Sequence, residues 1–80
     1  MGQNFLADPA TAQAIIDRAG VQPDDIIVEI GPGLGALTIP LARAARSVIA
    51  IEKDRRLATI LREELTGAGI ANVEVMEADA

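Results

Sequence analysis

Directly after the apolar run "IIVEI", Ile26 to Ile30, the chain places three glycines at alternate positions, "GPGLG", and then resumes in helix-like sequence. A run of β-branched residues this short and continuous reads as a strand of a parallel sheet, covered on both faces. A glycine loop between such a strand and a helix lets backbone amides and a ligand approach closely, because no Cβ stands in the way. The surrounding punctuation extends the pattern. Asp8 and Pro9 read as the N-cap and first position of a helix carrying Ala12, Ile15, Ile16 and Ala19 on one face, with Gly20 as its stop. A second helix spans about Leu34 to Ala45, and Pro40 inside it predicts a kink or a delayed start. "SVIAI", Ser47 to Ile51, is a second strand. Asp54 caps a third helix whose apolar positions are Leu57, Ile60, Leu61 and Leu65, ended by Gly67 and Gly69, and "NVEVM", Asn72 to Met76, is a third strand. The connections are too long for hairpins, so the strands run parallel with right-handed crossovers. The fold class is α/β: half of a doubly wound, Rossmann-like parallel sheet of three strands with helices. No repeat or linker divides the chain.

The alphabet limits the chemistry available to such a fold. There is no Cys, His, Trp or Tyr, and Phe5, Lys53 and Ser47 are each the single residue of their kind. Disulfides, thiolate or imidazole catalysis and Cys/His zinc sites are therefore excluded. Carboxylates, backbone amides and a few hydroxyls must carry any function, and no metal site is expected. The net charge of −5 opposes general attraction to a phosphodiester backbone, although Arg43, Arg46, Arg55, Arg56 and Arg62 gather in the middle of the chain. Without a signal pattern or a long apolar run, a soluble, cytoplasmic location is expected.

The loop admits several occupants. A triphosphate loop requires a lysine after its glycines, and none is present. Gly31, Gly33 and Ala36 satisfy the dinucleotide fingerprint, and Glu52 lies 21 residues beyond Gly31, near where a ribose-binding acid belongs. That arrangement serves a nicotinamide or flavin dinucleotide and other adenosine cofactors alike. Two residues favour one of them. Glu29, two positions before the first glycine, would repel a pyrophosphate but attract an ammonium. Asp79 follows the third strand at the same crevice, where a carboxylate can accept a hydrogen bond from an exocyclic amine. A ligand combining ammonium, carboxylate and adenosine is S-adenosylmethionine (SAM).

"GQNFL" at Gly2 to Leu6, "VEIGPGLGALTIPLA", "IEKD" and "EADA" together resemble the ribosomal RNA adenine dimethyltransferases of the KsgA type. "GPGLG" by itself resembles class I SAM-dependent methyltransferases in general, and "GQNFL" narrows the resemblance to this family. The resemblance implies that residues 1–7 form a lid from which Asn4 and Leu6 contact the cofactor. It further implies that Gly31 lies beside the methionine moiety, that Glu52 accepts the ribose hydroxyls and that Asp79 accepts the adenine amine. Gly33 and Gly35 would give the backbone its close approach. The family transfers methyl groups from SAM to the exocyclic nitrogen of adenine in small-subunit ribosomal RNA. Its amine-positioning "N-L-P-Y" type segment has no counterpart in these eighty residues. The expectation is a single partial SAM-binding domain over 1–80, with a helix over about 8–19 and strand-helix units over about 26–80. Such a domain would bind cofactor without catalysis, bind RNA weakly or not at all, and form a homodimer or domain swap through the open edge of the first strand. The alternatives are a half-Rossmann module for an NAD-type dinucleotide, and a structural half-domain that only folds and self-associates.

Overall fold

Asp54 shows how local chemistry places an element. Its backbone is extended (φ −90°, ψ 116°), and its carboxylate accepts hydrogen bonds from the Arg56 and Leu57 amides at 2.9 and 3.3 Å. Two of the orphan donors at the start of the following helix are thereby satisfied. In this computed structural model, which describes residues 9–33 and 35–79, six elements follow in order. They are α1 (Pro9–Ala19), β1 (Ile26–Ile30), α2 (Thr38–Ala44), β2 (Ser47–Glu52), α3 (Arg55–Gly67) and β3 (Val73–Glu77). Asn4, Leu6 and Asp8, and with them the expected lid and first N-cap, lie outside the described residues.

The second helix starts at Thr38 rather than Leu34. Pro40 then falls in the first turn, where a missing N–H costs nothing, so the delay that the proline predicts is the outcome found. The far end of α2 is closed from a distance. The Asn72 side-chain amide donates to the carbonyls of Ala42 (2.7 Å) and Arg46 (3.1 Å), tying the approach to β3 onto the α2–β2 turn.

The strands form one parallel sheet in the order β1-β2-β3. The order advances in one direction, so two right-handed crossovers deliver α2 and α3 to the same face. Register separates the faces: Ile27 and Glu29 align with Val48 and Ala50, which in turn align with Val73 and Val75. On this side Val48 packs with Ile16 of α1 and Leu41 and Ala42 of α2, and Ala50 packs with Leu61 and Leu65 of α3. Leu61 is wholly buried, a placement that contributes about 1.5–3 kcal/mol.

The opposite face corrects the reading of β1 as a strand covered on both sides. Ile26, Val28 and Ile30 are 56 to 61% exposed, alongside Ile49, Ile51 and the exposed Met76. No described helix lies over them. Ile15 and Ile60, assigned by spacing to the apolar faces of their helices, are also exposed, while Ala12, Ile16, Ala58 and Leu61 are buried. A stripe read at three- and four-residue spacing is wider than the helix surface that touches the sheet.

Candidate functional site

The carboxyl ends of the three strands open into one crevice of about 170 Å³, lined by Gly31, Glu52 and Asp79 together with Ile30, Ile51 and Lys53. Glu52 closes β2 on the helix-covered side and is 4% exposed. Its two oxygens are held from different directions: the Gly33 amide donates to Oε1 at 3.1 Å and the Asp54 amide to Oε2 at 3.0 Å. A carboxylate has about four acceptor positions, so Glu52 keeps capacity for a pair of hydroxyl donors. Asp79 stands exposed at the crevice mouth, just past the hydrogen bond from the Ala78 amide to the Glu52 carbonyl (3.1 Å). Apolar Ile30 and Ile51 provide flat flanks between the polar groups.

The glycine loop is shaped mainly by the protein itself. Gly31 and Gly33 have φ of +67° and +62°, a region that side chains with a Cβ disfavour. The Gly31 amide donates to the Ile51 carbonyl (2.8 Å) and the Gly35 amide to the Pro32 carbonyl (3.1 Å). With Gly33 bound to Glu52, each of these three amides already has an internal partner. Gly35 makes its close approach to α3: a Cβ there would stand 2.7 Å from Leu61 Cδ1.

Glu29 is placed apart from the crevice lining. It projects from β1 toward the helices, where the Thr38 hydroxyl at the start of α2 donates to its Oε1. Burial pushes its carboxyl above the ordinary glutamate value, opposed by the Thr38 hydrogen bond. The structure thus unites Gly31, Glu52 and Asp79, attaches Gly33 to them through Glu52, sets Gly35 against Leu61 of α3, and places Glu29 behind the loop.

Lys53 and Thr38 are the residues that sequence reasoning missed. Lys53 follows the strand-ending acid directly, and that adjacency is the signal that could have found it. Thr38 carried no signal, because its partner lies nine residues away across the loop. Two of the gathered arginines are engaged: Arg62 pairs with Glu77 at 2.8 Å and Arg55 approaches the same carboxylate at 3.7 Å. These pairs hold Glu77 below the usual carboxylate range, chiefly through the Arg62 hydrogen bond. Among the described residues no acidic, His or Cys cluster could hold a metal ion, and no helix is long and apolar enough to cross a membrane.

A family model described as "Ribosomal RNA adenine dimethylase" matches residues 1–80. The chain belongs to this family. Among ribosomal RNA adenine dimethylase relatives, it is 56% identical over 79 residues to the ribosomal RNA small subunit methyltransferase A of Desulforapulum autotrophicum, covering 99% of this chain and 28% of the relative. The crystal structure of a 23S rRNA methyltransferase, ErmE, is similar at 47% identity with a TM-score of 0.82, covering 95% of this chain and 30% of that one. A SAM-dependent O-methyltransferase from Thermotoga maritima is similar at 29% identity with a TM-score of 0.87, covering 99% of this chain and 31% of that one. The chain therefore spans less than a third of the length of these relatives. The family assignment and the α/β methyltransferase fold agree with the resemblance carried by "GQNFL" and "GPGLG".

Proposed function

We propose that this chain is the SAM-binding half of a ribosomal RNA adenine N6-dimethyltransferase domain. The observation that carries the reading is the convergence of Gly31, Glu52 and Asp79 on one crevice at the carboxyl ends of three parallel strands, where ligands of open α/β sheets bind. Glu52 takes the ribose hydroxyls with the acceptor positions left free by Gly33 and Asp54, and Asp79 takes the adenine amine. Ile30 and Ile51 flank the base. Gly31 lies beside the methionine moiety, Glu29 balances its ammonium from behind the loop, and Gly33 and Gly35 allow the backbone to come close. Asn4 and Leu6, which lie outside the described residues, are further cofactor contacts on the strength of the family resemblance.

When bound, the cofactor supplies a methyl group on its sulfonium for transfer to an adenine nitrogen of ribosomal RNA. The substrate RNA is a partner of the longer protein. With a net charge of −5, and with Arg55 and Arg62 committed to Glu77, this stretch engages RNA weakly at most. The protein acts in the cytoplasm, where its RNA is found. Its free partner is a second copy, paired or swapped along the open edge of β1 beside Ile26, Val28 and Ile30.

Calorimetric titration with SAM, S-adenosylhomocysteine (SAH) and NAD tests the assignment. A dissociation constant of roughly 0.1–1 mM for SAM and SAH, worth about 4–5.5 kcal/mol, is expected because the crevice holds only part of the ligand. Preference for NAD would overturn it. Absence of binding to all three would leave a half-domain that only folds and associates.

A further inference from the structure

Thr38 is the first residue of α2 and is completely buried, yet it is polar. Its hydroxyl donates to Glu29 Oε1 from the far side of the glycine loop, so the end of β1 and the start of α2 are joined around the loop that separates them. The usual device for holding a helix start is missing here: the N-cap residue is Leu37, which offers no side-chain hydrogen bond. Gly35 accepts from the Ile39 amide through its carbonyl (3.3 Å), and the position its Cβ would take lies 2.7 Å from Leu61 Cδ1 and 3.9 Å from Thr38 Cβ, so the loop's last glycine is seated directly against Thr38.

We propose that Thr38 is a positioning residue for cofactor binding, acting through Glu29 to hold the glycine loop in its ligand-ready shape. The inference rests on the SAM-binding reading above. One oxygen of Glu29 is fixed by the hydroxyl, which orients the carboxylate behind the loop. The same bond sets the span between strand and helix. Thr38 touches neither ligand nor crevice; loss of its hydroxyl changes the loop that does.

Thr38→Val keeps the shape and removes the donor, whereas Thr38→Ser keeps the donor. The expected result with SAH is a loss of roughly tenfold in affinity for the valine variant, the factor to which the low end of a charge-assisted hydrogen bond converts. The serine variant restores affinity to within about twofold of the parent. The Gly31, Gly33 and Gly35 amide resonances of the ligand-free protein should shift and exchange faster in Thr38→Val and return in Thr38→Ser. Unchanged affinity and unchanged glycine amides in the valine variant would overturn the proposal. So would equal losses in both variants, which would mark Thr38 as packing alone. If the parent protein fails to bind SAH, the functional assignment falls, and the glycine amides alone decide the role of Thr38. If Thr38→Val does not fold, Glu29→Gln, which keeps an acceptor, should retain the glycine signature that Glu29→Ala loses; identical behaviour of these two would likewise overturn it.

Discussion

Glu52 and Gly33 lie 19 residues apart and are joined by a 3.1 Å hydrogen bond from the Gly33 amide to the buried Glu52 carboxylate. The acid expected to meet the ribose is thus also a structural post for the loop. Glu52→Ala leaves the Gly33 and Asp54 amides without this acceptor and should destabilise the fold by about 1–3 kcal/mol. Glu52→Gln keeps one acceptor and should cost less. Urea denaturation measures the ordering, and SAH titration should show binding lost in both.

Gly35→Ala adds a methyl group 2.7 Å from Leu61 Cδ1 at a φ of +88°. Leu61 is fully buried and has little room to move. Backbone strain and overpacking together should cost about 2–4 kcal/mol. In a Leu61→Val background the added cost should shrink without vanishing, because the shorter side chain relieves the contact but not the φ. A double-mutant cycle of denaturation midpoints reads the difference.

Burial raises the Glu29 carboxyl above its ordinary 4.5, so between that value and the raised one the folded protein binds more protons than the unfolded chain. The resulting stabilisation is full below 4.5 and is lost as pH rises through the folded value. Glu77 has the opposite sign: its favourable contribution holds above 4.5 and fades as pH falls through its lowered value. The parent protein should therefore lose stability relative to Glu29→Gln as pH increases from 4.5, with a plateau above the raised value. Urea midpoints of both proteins between pH 4 and 8 test this, and a constant difference would refute it.

Val28 sits at the centre of the uncovered stripe of β1. Replacing it with lysine places a charge on the open strand, a substitution that opposes edge pairing. If a second copy docks there, Val28→Lys should convert the sedimentation profile at tens of micromolar from dimer to monomer. The side chain is already exposed, so monomer stability should change by no more than about 0.5 kcal/mol. A parent that sediments as a monomer would remove the dimer reading.

Much of this protein was legible before folding because it is written in local chemistry. Asp54 caps α3 with its own carboxylate, Pro40 delays α2 by lacking an N–H, and the alternate glycines supply the backbone turns after β1. Glu52 and Asp79 could be placed near one another because each follows the end of a parallel strand. Tertiary structure decided what depends on distant partners. Helices α2 and α3 share one face because both crossovers share a hand and the strand order runs one way, and α1 joins them by packing Ile16 against Leu41 and Val48, which leaves Ile26, Val28 and Ile30 uncovered. Register turns Glu29 toward Thr38 rather than into the crevice, and packing sets Gly35 against Leu61. Local sequence dictates where elements begin and end; which neighbour each side chain meets is settled only when strands align and helices dock.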